Sequence, residues 1–530
     1  MVDPMRRVGR FALIVFEVAL LSALILAARC ANYQDIFIAG HVYFVHADCY
    51  ARMTRVQMVR EKPGLIIRHH AFENFPQGTT PHTTAPLDYL IVALSLFLNP
   101  FTTHALELAG AFVSPLLALL GGWFLWWWSV KFRYRWVMLI LYAISPILVH
   151  GTELGRPDHQ SLLILLVAIA ICAEWSSQTL QAANMASAWR LTSAAAWALA
   201  IWVSAYEPLL LFLMLTAMAF MLNRHAVFAR DRRGAWILFG AIIAIASAIE
   251  LRVPSFGILQ SIGHLKNWGS TIGELAHVSP MNPVWLNWCG FLLVVAPVLI
   301  WMSIRTPRNG APGGRALPIY VLLIATYFLT IWQARWGYFF VLIFALTLPA
   351  LLVPIKSSAA VWIAFVLSMF PILRDWDERL WPTEAQLAER VERRIESAQI
   401  RDLALSLRSP EVHPFLAPWW LSPSIAYWSG QPGVAGSSHE SLSGIEESAR
   451  FFLSENLQEA RAILEKRHVA WVFAYDSDRV AQNSAAILNE PLRRKPLCRV
   501  LDRTPSQAPL FLVFSAQTPA CKLYAVAVER

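Results

Sequence analysis

Charge is scarce in this chain: 15% of its 530 residues are Asp, Glu, Lys or Arg, against 57% hydrophobic. Together with apolar runs longer than a soluble helix needs, this excludes an ordinary soluble domain and marks a polytopic membrane protein. Cysteine is scarce too. The six are scattered with no metal-ligand spacing, so no zinc motif is present, while pairs such as Cys30 with Cys49 stay open in an oxidising compartment. The first apolar stretch is followed by Cys30 rather than a clear small-residue cleavage site, and it reads as an uncleaved anchor. No internal repeat is evident, and no pair of Gly/Pro-broken helices occupies matching positions of two halves, which argues against a transporter.

What the chain has instead is a series of hydrophobic segments. About eleven are expected to cross the membrane, near residues 11 to 28, 104 to 129, 136 to 150, 160 to 174, 190 to 204, 208 to 222, 235 to 250, 284 to 304, 317 to 332, 336 to 354 and 358 to 373. The net charge of +9 could suggest nucleic acid, but the basic residues fall in short loops at alternate helix ends. Arg6, Arg7 and Arg10, then Lys131, Arg133 and Arg135, then Arg224, Arg230, Arg232 and Arg233, then Arg305, Arg308, Arg315 and Lys356 are therefore expected in the cytoplasm. No nucleic-acid partner is expected. The loops 29 to 103, 151 to 159 and 251 to 283, and everything after 374, then share the exported face.

Three carboxylates stand at the external mouths of apolar helices: Asp48 in HADCYARMTR, Asp158 in GRPDHQ and Glu274 in STIGEL. An ionisable group beside hydrocarbon is unfavourable unless it pairs, binds metal or faces water, so each is a site candidate. Converging, they would hold a divalent cation. An Asp at a helix start also commonly serves only as an N-cap.

Several longer segments resemble a known family. Asp48 with the following Tyr50, Arg52 and Arg55, then ENFPQGTTPHTTAPLDYL with Pro76, Gly78, His82, Pro86 and Leu87, resembles the first external loop of oligosaccharyltransferase catalytic subunits. The likeness is to the single-subunit archaeal and bacterial type, membrane glycosyltransferases of the C type (GT-C). GTELGRPDHQSLL resembles the family's second acidic motif, with Gln160 where an acid or His stands, leaving Glu153 or His159 to compensate charge. Thr271 to Glu274, in a loop with His264, Lys266, Trp268 and Gly269, matches a Thr-Ile-x-Glu pattern. QARWGYF resembles the segment whose Arg grips the donor diphosphate, here Arg335. An arginine in that position could also snorkel to headgroups. APWWLSPS resembles the Trp-Trp-Asp-Tyr-Gly segment: Trp419 and Trp420 are kept, and Leu421, Ser422 and Pro423 replace the rest.

The resemblance implies Mn2+ or Mg2+ held by Asp48, Asp158 and Glu274, donor phosphates held by Arg335 and His82, and acceptor contacts from Thr271, Glu274, Trp419 and Trp420. It implies a polyprenyl diphosphate glycan donor, a protein acceptor and a bacterial or archaeal inner (plasma) membrane. A lipid or polysaccharide acceptor, suggested by the altered segment after Trp420, and a catalytically degenerate scaffold, suggested by Gln160, stay open.

The expected architecture is an α-helical membrane domain over 1 to 374 and a soluble exported α/β domain over 375 to 530. In the latter, TEAQLAERVERRIESAQIRDLALSLR reads as an amphipathic helix and ENLQEARAILEKR as another, with β-rich runs at HVAWVFAY, APLFLVFS and CKLYAVAVE. His69 and His70, adjacent to Glu73, read as solvated loop residues.

Overall fold

The computed structural model describes residues 4–179, 183–227, 229–254, 267–305 and 317–527. Among these, six helices are long and apolar enough to cross a membrane: Phe11–Arg29, Ala105–Lys131, His159–Gln178, Arg230–Glu250, Ala334–Leu351 and Ser358–Leu380. Five shorter apolar helices accompany them, Ala85–Leu98, Arg135–Ile144, Tyr206–Leu222, Leu292–Arg305 and Leu317–Trp332. Each expected segment coincides with helix, although proline and glycine divide three of them. Pro146 opens a separate turn, Pro146–His150. Gly290, at φ +72°, separates Val284–Cys289 from Leu292–Arg305, and the Ser368 carbonyl oxygen lies 2.4 Å from where a side chain would begin. Arg308 and Arg315 lie outside the described residues.

Gly337–Leu351 is apolar and buried around its whole circumference, as expected of a helix at the centre of a bundle. Close approach depends on small residues: a Cβ on Gly122 would stand 2.2 Å from Ile25 of the first helix. Arg29 ends that helix, fully buried, and its guanidinium donates to Thr152 Oγ1 at 3.1 Å and to the carbonyls of Tyr142 (3.0 Å) and Ala143. The short turn that follows is pinned further, with Gly155 N donating to Ala111 O (2.9 Å) and Val45 N to Gly155 O (3.0 Å). Asp158 is carried at its end.

The stretch 29 to 103, expected as loop, contains two long helices, Ala47–Glu61 and Ala85–Leu98, besides the single turn Tyr33–Ile36. The second, at 14 residues, rises only about 21 Å, short of a bilayer's roughly 30 Å core, and so escapes a search for spanning segments. The two helices pack together, and Arg60 at the end of the first donates to Asn99 at the end of the second (3.1 Å).

The C-terminal part follows its sequence pattern closely. Glu384–Leu405 is one helix, opened by a capping box in which Thr383 and Gln386 satisfy each other's backbone N–H. Leu457–Lys466 is capped by Asn456. Four strands form one sheet in the order Phe415–Leu416, Trp471–Tyr475, Cys521–Val526, Leu512–Gln517; the first pair is parallel and the others antiparallel. This layer does not stand apart. One hydrophobic cluster runs from Tyr43, Phe44 and Tyr50 through Tyr427 and Trp428 into the sheet. All six cysteines are free, so the Cys30–Cys49 pair left open above is not formed.

Arg467 couples the two layers electrostatically. Buried to 1% exposure, it pairs with Glu447 and donates to Asn74 Oδ1 (3.1 Å), Phe75 O (2.9 Å) and Ser443 Oγ (3.2 Å). Losing one partner of a buried ion pair typically destabilises by about 3–5 kcal/mol. Arg467→Met is therefore expected to lower the thermal midpoint of the detergent-solubilised protein and to speed proteolysis after residue 374, with Arg467→Lys intermediate. An unchanged midpoint in both variants would show that the cluster alone holds the layers.

Candidate active site

One cavity, of roughly 1230 Å³ including its open mouth, lies where these segments meet. Asp48, His82, Asp158, Glu274 and Arg335 all line it, with His159, Gln160, Glu73, His439 and Glu440. Five stretches of chain, far apart in sequence, thus contribute the expected residues to a single space.

Asp48 is the second residue of Ala47–Glu61, and His46 holds the N-cap position, so the capping alternative is not realised. The His46 ring bridges the first two acids, its Nδ1 3.8 Å from Asp48 and its Nε2 3.8 Å from Asp158. Asp158 is 5% exposed, and burial alone would push its carboxyl up. The His159 ring and backbone, each 2.7 Å from Oδ1, reverse this and hold it well below the usual carboxylate range. Gln160 lies against the same carboxylate. Turned one way its amide nitrogen donates to Oδ1 (3.0 Å) and Oδ2 (2.5 Å); turned the other way its oxygen joins the carboxylate's two. That second arrangement sets a third oxygen beside the carboxylate, which suits a cation. Carboxylate and amide oxygens are hard donors that Mg2+ and Mn2+ favour, so these residues fit such an ion.

Glu274 is held at the rim, where Tyr338 donates to its Oε1 (3.2 Å) and Arg156 stands 3.8 Å away. Its loop rests on the C-terminal part through Trp268, which packs edge-on against Trp419 at 5.6 Å. Thr271 uses its hydroxyl locally, donating to Trp268 O (2.7 Å). His264 and Lys266 lie outside the described residues. Trp419 and Trp420 line a separate small cleft, where Trp419 donates to Asn483 (2.9 Å) and Arg479 covers Trp420 at 5.1 Å.

Arg335 does not stand free at the membrane surface. It is ion-paired with Glu207 and lies 5.5 Å over the Tyr206 ring. Sequence reading missed Glu207, although the rule that singled out Asp48 applies equally to an acid directly before the apolar run at 208. It also missed His46, His439 and Glu440. On the other wall Arg52 and Arg55 share Asp88, at 2.5 and 3.6 Å.

The expectation that His70 is solvated is overturned: it is 1% exposed, and the neighbouring Glu73 is 3% exposed. His70 pairs its backbone with Thr79 (2.8 and 3.0 Å), which folds this strip inward, and burial pushes its imidazole down to about 3. His69 remains exposed.

No family model matches the chain. The fold is that of the C-type membrane glycosyltransferases. AglB, the oligosaccharyltransferase of Archaeoglobus fulgidus solved with an inhibitory peptide and a dolichol-phosphate, superposes with a TM-score of 0.68 over 96% of this chain and 74% of that one, at 12% identity. ArnT from Cupriavidus metallidurans bound to undecaprenyl phosphate superposes with a TM-score of 0.61 over 98% of both chains, at 14% identity. In sequence, dolichyl-phosphooligosaccharide-protein glycotransferase 1 of A. fulgidus is 25% identical over 169 residues. That match spans 31% of this chain and 26% of the relative's length.

Burial pushes Glu73 up to about 7 from its ordinary 4.5, against the pull of Arg55. A carboxyl raised in the folded state contributes stability that is full below 4.5 and is lost as pH rises through 7. The thermal midpoint is therefore expected to fall between those values more steeply in the wild type than in Glu73→Gln. Parallel pH profiles would contradict this assignment.

Proposed function

We propose that this chain is a membrane glycosyltransferase that transfers a glycan from a polyprenyl (di)phosphate carrier to a protein acceptor on the exported face of a bacterial or archaeal inner membrane. The reading rests on one observation, the gathering of Asp48, Asp158, Glu274 and Arg335 around a single cavity. In it, about eleven segments within 1 to 374 cross the membrane and 375 to 530 form the exported domain.

The lipid carrier enters from the bilayer, and Arg335 and His82 grip its phosphates. A guanidinium is permanently charged and offers paired donors to phosphate oxygens. Glu207 keeps it aimed, since without that partner a charge so deep would be unfavourable. Asp48, Asp158 and Glu274 would hold Mn2+ or Mg2+, which neutralises charge developing on the departing diphosphate. The acceptor nucleophile approaches beside Glu274, forming its bond to the sugar as the sugar–phosphate bond breaks. Thr271, Trp419 and Trp420 shape that approach through Trp268. Buried residues around the cavity exclude water, strengthening each of these electrostatic contacts.

A second reading, transfer to a lipid or polysaccharide, is favoured by Leu421 to Pro423 and by the end-to-end superposition on ArnT. The experiment is transfer in vitro from extracted polyprenyl-linked glycans to a peptide panel and to lipid acceptors, with and without divalent cations. Glycopeptide is expected from the wild type. Asp48→Ala should lower the rate by roughly 10²-fold or more, the usual effect of removing a transition-state charge stabiliser. Arg335→Ala should raise the donor KM about tenfold or more, as lost charge-assisted hydrogen bonds do. Glycolipid alone would establish the second reading; activity unchanged in Asp48→Ala would overturn the assignment of the site.

A further inference from the structure

We infer that His82, His439 and Glu440 form a cation site of their own, binding a zinc-like divalent ion between the first external segment and the C-terminal part. Among the described residues this is the group of potential ligands whose donor atoms all lie within 4.8 Å of one another. A tetrahedral ion with bonds of about 2.0–2.2 Å holds its ligand atoms roughly 3.3–3.6 Å apart, so small side-chain rotations suffice. The three carboxylates share the cavity at wider spacing.

A simple structural role does not account for the cluster. The His82 ring Nδ1 lies 2.7 Å from Glu440 Oε1, and His82 N donates to the same oxygen at 2.7 Å. Had this pairing been the whole purpose, the remaining atoms would be satisfied elsewhere. They are not: Glu440 Oε2 and His439 Nε2 are buried without a hydrogen-bond partner. The other ring nitrogen of His439, Nδ1, stands 3.6 Å from Glu440 Oε2, too far for a hydrogen bond. The two imidazoles stand with ring centres 4.7 Å apart. Buried lone pairs left over in a cluster of two imidazoles and a carboxylate are what a metal ion satisfies.

The donor set fixes the class of ion. Two imidazoles and one carboxylate form a borderline set that suits Zn2+ or Co2+ better than Mg2+, which prefers oxygen. Three protein ligands leave a fourth position open to the cavity, the arrangement of zinc sites that bind water or a substrate oxygen. Because His82 and the His439–Glu440 pair belong to different layers, the ion would also tie them together, close to the Arg467 contacts. The site stands on its own geometry, although it shares His82 and the cavity with the transfer reading.

The test uses the full chain in detergent, stripped by chelation and then given ZnCl2, with metal content and the zinc X-ray absorption edge as readouts. The wild type is expected to bind an ion showing scattering from two imidazoles at about 2.0–2.1 Å. His439→Ala and Glu440→Gln should weaken binding tenfold or more, and His439→Ala should lose one imidazole from the spectrum. Asp48→Asn should retain both the ion and its spectrum. If His439→Ala misfolds by size exclusion, His439→Asn serves in its place. Wild-type affinity and spectrum in the His439 and Glu440 variants, or loss of the ion in Asp48→Asn, would overturn the proposal. Failure of transfer activity would leave these readouts unaffected, so the two readings fail separately.

Discussion

A charge beside hydrocarbon must be compensated, and this constraint organises the molecule around its cavity. Asp158 is answered by His159 and His46, Arg335 by Glu207, Arg52 and Arg55 by Asp88, and Arg156 by Glu153 and Glu274. Each pair joins residues on one wall, or ties one external segment to another. Removing Glu207, the ion-pair partner named for Arg335, would leave a desolvated charge without its counter-ion, which is far less favourable than never burying the pair at all. The apolar bundle supplies rigidity; the paired charges determine which segments meet.

The C-terminal part takes part in this arrangement as a wall of the site. Its aromatic residues Tyr427 and Trp428 pack on Tyr43 and Tyr50 just before and after Asp48, so the helix carrying that acid is seated partly on the later layer. Gly436 lets the chain pass close over Glu73, where a Cβ would come within 2.8 Å of the carboxylate. That close passage brings Ser437, Ser438, His439 and Glu440 to the cavity lining. A site assembled from both layers depends on their contact, which the buried Arg467 helps to hold.

Local signals carried much of this. The helix at 384 was legible because its apolar period and the Thr383 cap agree, and the three long strands because β-branched and aromatic residues cluster between turn residues. Asp48, Asp158, Glu274 and Arg335 were legible because charge is rare near apolar segments and each instance stands out. Glu207 passed unnoticed only because it abuts a run rather than lying within a recognisable motif. His439 and Glu440 carried no such signal: SSHES is an ordinary polar loop in sequence, and only tertiary packing brings it to His82. His70 fails for the same reason, since a polar run without period reads as solvated until its pairing with Thr79 turns it inward.

The segment around Trp419 to Pro423 departs furthest from what the family resemblance implies, and the packing explains how the fold tolerates it. Leu421 precedes a short helix, Ser422–Ser429, whose first residue is fully buried and donates its hydroxyl to Ala435 O (2.7 Å). Ser422 therefore serves the passage that delivers His439 and Glu440, and is not free to meet a ligand. Trp419 donates to Asn483, Arg479 lies over the Trp420 ring, and both tryptophans line a small cleft apart from the cavity. What this side presents is the Trp268 ring with Ile272 and Leu275, an apolar surface, with Glu274 as its one charge. A pocket that recognises its ligand through an apolar wall discriminates poorly against an added hydroxyl, whereas a hydrogen-bonding pocket rejects ligands that lack their partner group. In the proposed transfer reading, selectivity for a hydroxyl-bearing acceptor would then fall on Glu274 and on the cavity's charged opposite wall, rather than on the segment after Trp420.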